Sequence, residues 1–282
     1  MALFRRGGRT SEPGPGPAGP GVPGPGAAGP GARNDRVREA LGTWAQQKDG
    51  RTFADVLRRA VTGELLLDVT GSTIADPAAG FRAGDVLAVT AQTDNAGKRL
   101  LVAFTGHDEL TRYRGAPGAS LVQPAAAVLA QAARDYEGVV LDGRSPGAFI
   151  AYSAEIRQQL TEDPEAVAAL GTATATRGLP FDRYLAALAE GPLFLPFEVR
   201  RDGSGAETVV VPGATGPDGR SYAVVGTSPA EVWAWQPACG VQRTTLDAVV
   251  TAVARAGQAG LVVNPAGPAV TVPAGALPPP AG

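Results

Sequence analysis

An internal repeat constrains the fold of this chain more than any other sequence feature. The matched blocks are residues 53–67 with 181–195 at an offset of 128, and residues 104–113 with 226–235 and 138–143 with 260–265 at an offset of 122. One internal gap of six residues reconciles the two offsets, and it falls in a turn-rich stretch where insertions are tolerated. The repeat therefore predicts two tandem domains that share one fold.

The spacing of apolar residues predicts the same elements in both halves, in the rough order α-β-β-β-α-α-β-β. In the first half we expect a helix that opens at Thr52 with Asp55 as its capping partner, and a strand over residues 85–90. In the second half Ser228 and Glu231 form a capping box with proline at the first helical position. Hairpins at both ends and a helical crossover predict an α+β fold, with a mixed, mostly antiparallel sheet flanked by helices in each repeat.

Composition sets the predicted domain boundaries. From Pro13 to Gly31 every residue except Val22 is Gly, Pro or Ala, a composition that buries too little apolar surface to offset the entropy of ordering. Glycine does not recur at every third position there, which excludes a collagen helix. The predicted segments are a disordered tail (1–34), a first domain (35–160), a linker with a short helix (161–178), a second domain (179–277) and a disordered end (278–282).

Charge and cysteine content narrow the functional classes. The net charge of −2 offers no broad attraction to nucleic acid. Cys239 is the only cysteine, so no intramolecular disulfide can form. Glycine and proline follow Arg5-Arg6 where a secretory signal needs an apolar segment, and no apolar run has the length of a membrane span. The prediction is a cytoplasmic protein with neither nucleic acid nor membrane as its partner.

Three motifs of the second half resemble the SseB family, specifically the SseB protein N-terminal domain. They are Gly191-Pro192-Leu193-Phe194-Leu195-Pro196, the stretch 222–231 followed by Trp235, and Gly260-Leu261-Val262-Val263-Asn264-Pro265. The first half matches less well, because it has His107, Tyr113 and Asp142 where the family has Pro, Trp and Asn. The resemblance implies two tandem SseB-like domains and brings no catalytic residue or cofactor with it.

The reactive side chains of the sequence predict no catalytic, metal or cofactor site. His107 is the only histidine, and an exposed histidine in the first turn of a helix explains it. Cys239 has no ligand partner at metal-binding spacing, so we expect a passive thiol. Glycines in the tail match G-x-G-x-x-G without the strand and helix that a dinucleotide loop requires. An enzyme that uses carboxylates and arginine, such as Asp142 near Arg144, stays open as a third alternative.

Trp233 is the most informative candidate for a binding residue. On a helix, residues two apart point roughly 200° away from each other, so Trp233 and Trp235 cannot both face the core. The repeat aligns Trp235 with Tyr113 and Trp233 with Thr111, which predicts that Trp233 is at least partly exposed. It then either contacts a partner, as exposed tryptophans often do, or packs against the other repeat or the linker.

The loop that begins with Asn264-Pro265 is a rigid turn after a buried strand and can support a binding edge. Together with Trp233, these residues are the predicted partner-binding positions. The sequence thus predicts a non-enzymatic cytoplasmic protein that acts by protein–protein interaction. The alternative is a sensor that binds a small molecule or peptide between the two domains.

Overall fold

The protein is described by a computed structural model, which covers residues 33–73, 84–176, 178–216 and 218–280. The chain divides into two compact units. Unit 1 contains the described residues up to Gln46 together with Gly63–Ile156, and unit 2 contains Gln47–Thr62 together with the described residues from Arg157 onward. Most of the two predicted disordered segments, namely residues 1–32 and 281–282, lies outside the described residues. Arg33, Asn34 and residues 278–280 of these segments are described.

Unit 1 is a mixed sheet with helices. Its elements are α1 (Asp35–Gln46), β1 (Glu64–Asp68), β2 (Ala91–Thr93), β3 (Arg99–Phe104), α3 (His107–Arg114), β4 (Ser120–Pro124), α4 (Ala125–Asp135), β5 (Gly138–Leu141), β6 (Phe149–Tyr152) and the start of α5 (Ser153–Leu160). The strand order is β4-β1-β3-β5-β6, with β2 paired to the first half of β3. Only β3 and β5 run parallel among these pairs. The apolar side of α4 is buried, as its helical spacing predicts.

Unit 2 is built in the same way. Its elements are α2 (Gly50–Ala60), α6 (Pro164–Thr176), α7 (Phe181–Glu190), β7 (Leu193–Arg201), β8 (Glu207–Val210), β9 (Gly213–Thr215), β10 (Ser221–Val225), α8 (Pro229–Trp235), β11 (Gly240–Thr244), α9 (Leu246–Arg255), β12 (Gly260–Val263) and β13 (Val270–Pro273). The core packs α7 and α9 against the central strands. Strands β10 and β12 are parallel, like their counterparts β3 and β5.

The sheets of the two units correspond in six strands, and β8 of unit 2 has no counterpart among the described strands of unit 1. In unit 2, one set of strands runs β13-β12-β10-β9 and another runs β11-β7-β8. A bridge joins them, because Phe194 and Gly226 exchange two backbone hydrogen bonds of 2.9 and 2.8 Å. The equivalent pair in unit 1 is Leu66 and Phe104, at the offsets of 128 and 122 that the sequence repeat predicts. The shared α+β fold is thereby confirmed at the level of strand register.

One equivalent cross-strand pair has different side chains in the two units. Unit 1 has Leu66 opposite the large ring of Phe104, and both contact Leu110 of α3. Unit 2 reverses the sizes, with Phe194 opposite Gly226. A Cβ on Gly226 would lie 2.9 Å from Val232 Cγ2, so no larger residue fits there without movement. The phenylalanine of this pair therefore comes from β3 in unit 1 and from β7 in unit 2.

The packing differs from the predicted domains in two segments. Helix α2 lies before β1 in the chain, yet it packs along α8 and belongs to unit 2. The predicted linker (161–178) is mostly α6, whose Leu170 lies in the core of unit 2. The boundary between the units falls inside α5, between Ile156 and Arg157.

Two local predictions in the first half are also corrected. The cap of α2 is Asp49, whose side chain accepts a hydrogen bond from Thr52 N, while the Thr52 hydroxyl faces back to Asp49 N. The capping box thus starts three residues earlier than predicted, because aspartate is the better first residue of the pair. Residues 85–90 do not form the predicted strand, because within this range only Val86 makes an isolated β-bridge, with Thr73. The strand that forms the hairpin with β3 is β2.

Two glycines at equivalent positions open the parallel strands β5 and β12. Gly138 and Gly260 have φ of 152° and 150°. A Cβ would lie 2.3 Å from Ala151 O at the first site and 2.1 Å from Val272 O at the second. We expect Gly138→Ala and Gly260→Ala each to cost at least about 1–3 kcal/mol of unfolding free energy, because a side chain is strained at this φ and clashes with backbone. Chemical denaturation of each variant measures this cost.

Glycines within helices are the matched controls. Gly42 in α1 and Gly171 in α6 have no atom within 4 Å of an added Cβ, and neither has a positive φ. Alanine there should leave stability unchanged or raise it by up to about 1 kcal/mol. Equal losses at all four positions would contradict this explanation.

Candidate functional site

The two units carry matching polar pairs where their parallel strands end. In unit 1 the Asp142 carboxylate accepts hydrogen bonds from Thr105 N at 2.9 Å and from Thr105 Oγ1 at 2.6 Å. In unit 2 the Asn264 amide accepts from Thr227 N at 2.8 Å and donates to Thr227 Oγ1 at 2.9 Å. The carboxyl edge of parallel strands is where open α/β sheets commonly bind ligands. Here the side chains of the protein itself fill that edge.

The backbone explains why only Asp or Asn serves at these two positions. Asp142 has φ of 48° and Asn264 has φ of 54°, both in the left-handed region. Aspartate and asparagine tolerate that region best among residues with a side chain. They also carry an oxygen that can accept from the threonine N–H. The two requirements together select this residue pair.

In unit 1 an arginine from α1 covers the same edge. Arg38 Nε donates to Thr105 Oγ1 at 2.9 Å, and its Nη1 donates to Asp108 Oδ2 at 2.7 Å. The hydrogen bond from Arg38 lowers the pKa of Asp108 to about 2. Burial raises the pKa of Asp142 to about 6, against the hydrogen bonds from Thr105, and the nearby charge of Glu109 adds to that rise.

In unit 2 an arginine from α2 takes the corresponding place. Arg58 is 8% exposed, and its guanidinium lies 2.5 Å from Asp55 Oδ1 and 3.6 Å from Glu231 Oε2. It also donates to the carbonyl oxygens of Gly267 at 2.5 Å and Ala266 at 3.3 Å. Arg58 therefore ties α2 to the first turn of α8 and to the loop after β12. No sequence motif marks this arginine.

The predicted partner-binding residues are placed as follows. Trp233 is half-buried, and its Nε1 donates to Cys239 O at 3.0 Å. Trp235 is also half-buried, so it does not take up a full core position. Asn264 is 3% exposed and is bonded to Thr227, and Pro265 is half-buried in the loop whose carbonyls accept from Arg58. The loop after β12 therefore already contacts α2 of the same chain.

The structure places the residues considered for chemistry as follows. Burial raises the pKa of the Cys239 thiol, which disfavours the reactive thiolate. His107 is half-buried, and Arg144 lies over the ring of Tyr113, 5.5 Å from its centroid. Among the described residues no group of three or more His, Cys, Asp or Glu side chains is arranged to hold a metal ion.

An exposed apolar surface lies at the end of the β7–β8 hairpin. Val199 and Val209 are cross-strand partners and are 52% and 64% exposed, and Val211 beside them is 49% exposed. Directly opposed residues share a face of the sheet, so these valines form one row. Strand β8 pairs with β7, and no other described strand pairs with its outer edge. We call the three valines and the outer edge of β8 the hairpin surface.

Trp233 is connected to the hairpin surface through β7. Glu198 of β7 lies opposite Val210 of β8, and its Oε1 accepts from Gln236 Nε2 at 2.8 Å. The same Oε1 lies 4.0 Å from Cys239 Sγ, next to the carbonyl that Trp233 binds. The predicted tryptophan contact and the hairpin surface therefore belong to neighbouring parts of unit 2.

The fold and these sites define a tandem α+β protein in which each unit closes its strand edge with its own side chains. The family model of the SseB protein N-terminal domain matches residues 37–158 and 165–277, so the chain belongs to the SseB family and carries the domain twice. No curated protein and no solved structure matches the chain significantly. In the described part of the chain, no helix combines the length and apolar character needed to cross a bilayer.

Proposed function

We propose that this SseB-family protein is a non-enzymatic cytoplasmic protein that acts by binding another protein. The partner contributes an extended segment, which adds as a strand to the outer edge of β8. Its apolar side chains, at every second position, cover the valine row of the hairpin surface. The exposure of Val199, Val209 and Val211 beside the outer edge of β8, which no other described strand covers, is the observation that carries this proposal.

Strand addition fits the hairpin surface for two physical reasons. An unpaired strand edge presents backbone N–H and C=O groups that bind another strand directly. Exposed side chains in a row on one face then select a partner with apolar residues at matching spacing. Trp233 is amphipathic and lies near β7 on the side of Glu198, so it can add a contact on the face opposite the valine row.

The polar sites support binding more than catalysis. Asp142 is engaged by Thr105, and Arg58 is engaged by two carboxylates and two carbonyls. A catalytic group must instead reach a substrate atom at hydrogen-bond distance. These polar clusters hold strands and helices together. The exposed valine row of the hairpin surface is therefore the better candidate for contact with another molecule.

The test uses the full chain and peptides with alternating apolar residues, selected from a random library for binding. We expect Val209→Arg to weaken the selected peptides about tenfold or more, because the arginine places a charge in the centre of the apolar row. Fluorescence anisotropy measures the affinity. Hydrogen exchange of the β8 amides in the complex should slow, because strand addition pairs them.

Val86→Arg is the matched control, because Val86 is also an exposed valine, at 52%, but lies in unit 1. It should bind the peptides like the wild type. Trp233→Ala should give a smaller loss than Val209→Arg, as expected for a contact outside the valine row. Equal affinity of wild type and Val209→Arg, with no slowing of exchange in β8, would refute the proposal.

A further inference from the structure

We propose that a second copy of this chain is a partner of the hairpin surface, with the two β8 strands paired antiparallel about Val210. This inference rests on the proposed function and names the occupant of the same edge. The resulting dimer would join two three-stranded sheets into one continuous sheet. It would also merge the two rows of exposed valines on one face.

The sequence of the edge is self-complementary. Two identical strands related by a twofold axis pair so that the residue numbers in each pair have a constant sum. Centred on Val210, the pairing places Val209 opposite Val211 of the second copy, and Val211 opposite Val209 of the second copy. Every position of the valine run then meets a valine, and β-branched pairs of this kind stabilise sheets. Thr208 falls opposite Pro212 of the second copy, where the ladder ends because proline has no N–H.

The charges around the edge do not oppose this pairing. Arg201 and Glu207 form an ion pair within one hairpin, with Arg201 Nε donating to Glu207 Oε1 at 2.8 Å. In the dimer the two Glu207 side chains would be six strand positions apart, about 20 Å, which is beyond the screening length at physiological salt. The net charge of −2 leaves little repulsion between copies.

The valine run itself lacks the features that keep soluble proteins from pairing at their sheet edges. Residues 207–211 contain neither lysine nor proline, the only charge is Glu207 at the outer end of the strand, and Pro212 follows the run directly. Protected edges usually carry a lysine, a proline or a charge within the strand. An unprotected edge with three consecutive valines suits a strand partner of the same sequence.

Sedimentation of the full chain from micromolar to submillimolar concentration tests the dimer. We expect the wild type and Val86→Arg to approach twice the monomer mass of 28.5 kDa at high concentration and to dissociate on dilution. Val209→Arg should stay monomeric throughout. A mass of 28.5 kDa at every concentration, or an unchanged dimer in Val209→Arg, would overturn the inference.

Cysteine cross-linking tests the register. Opposed residues of antiparallel strands have Cα atoms about 4.5–5.5 Å apart, a distance that a disulfide spans. Val210→Cys should therefore oxidise to a covalent dimer, whereas Glu207→Cys, with its copies about 20 Å apart, should not. Both variants retain buried Cys239, which controls for background oxidation. Equal cross-linking of both variants would exclude this register.

The two proposals can fail separately. If the wild type is monomeric but Val209→Arg still loses the selected peptides, the second copy is excluded and strand binding stands. If the dimer forms with the expected register and no peptide binds, strand addition is limited to self-association. Loss of both results would remove the hairpin surface as a binding site.

Discussion

Arg58→Ala is expected to lower the unfolding free energy of the protein by about 3–5 kcal/mol, because unit 2 loses the buried ionic contacts and hydrogen bonds of the guanidinium. Removal of the guanidinium takes a buried cation away from the carboxylates of Asp55 and Glu231, and it leaves the carbonyls of Ala266 and Gly267 without this donor. Asp55 then keeps only the more exposed Arg59. A buried charge that loses its partner costs far more than the intact pair contributes. Urea denaturation followed by circular dichroism measures the change.

Arg59→Ala is the matched control for this prediction. Arg59 is the next residue in α2 and pairs with the same Asp55 at 3.1 Å, but its side chain is more exposed. Because water screens such pairs, its loss should cost no more than about 1 kcal/mol. Similar losses in the two variants would show that Arg58 contributes only as one more surface charge.

The role of Arg58 could not be predicted from the sequence. The repeat aligns α2 with α7, which predicts that α2 serves the first domain, and the family match likewise includes α2 within residues 37–158. Only the packing shows that α2 lies along α8 in unit 2. Periodicity identifies the buried face of a helix, but it does not tell which neighbour covers that face.

The strand framework was far more predictable. Short apolar runs bounded by glycine identified β5 and β12, and the two offsets of the repeat give the cross-strand register of both sheets. Strands β9 and β11 were missed, because they are half-exposed and carry no apolar run. Strand signals come from burial on one or both faces, so peripheral strands leave the weakest trace.

The polar contacts at the strand ends were not predicted, although the sequence carries a signal of them. The repeat aligns Thr105 with Thr227 and Asp142 with Asn264, and the same spacing of 37 residues in both halves is the signal of a contact. The exposed valine row was not recognised, because an apolar strand looks the same in sequence whether its face is covered or free. Which face is covered depends on the length and direction of distant helices.

Asp142→Asn should raise the unfolding free energy at pH 7.5 by up to about 3 kcal/mol. Burial and the nearby Glu109 hold the pKa of Asp142 at about 6, above the ordinary value of 3.8. One pKa unit corresponds to about 1.36 kcal/mol between the two protonation states, so the ionised form destabilises the fold by about 3 kcal/mol. Asparagine removes the charge and keeps the oxygen that accepts from Thr105 N, as Asn264 does in unit 2.

The pH dependence of this effect has a definite sign. Between about pH 4 and 6 the folded state holds a proton on Asp142 that the unfolded state has released. The contribution of Asp142 to stability is therefore fully present below pH 3.8 and is lost as the pH rises through 6. Wild type should gain stability relative to Asp142→Asn as the pH falls from 7.5 to 4.5. Subtraction of the two curves cancels the titrating groups that do not interact with Asp142.

The reverse exchange at the equivalent position completes this test. Asn264→Asp introduces a carboxylate at a site that is 3% exposed and bonded to Thr227, so it should destabilise the protein at pH 7.5. This loss should shrink as the pH falls, because the new carboxyl becomes neutral and again resembles the amide. If neither Asp142→Asn nor Asn264→Asp changes the unfolding free energy at pH 7.5, burial at these strand ends does not disfavour the charged carboxylate. If Asp142→Asn stabilises and Asn264→Asp destabilises the protein, and both effects shrink as the pH falls, one titrating carboxyl group accounts for the difference between the two strand ends.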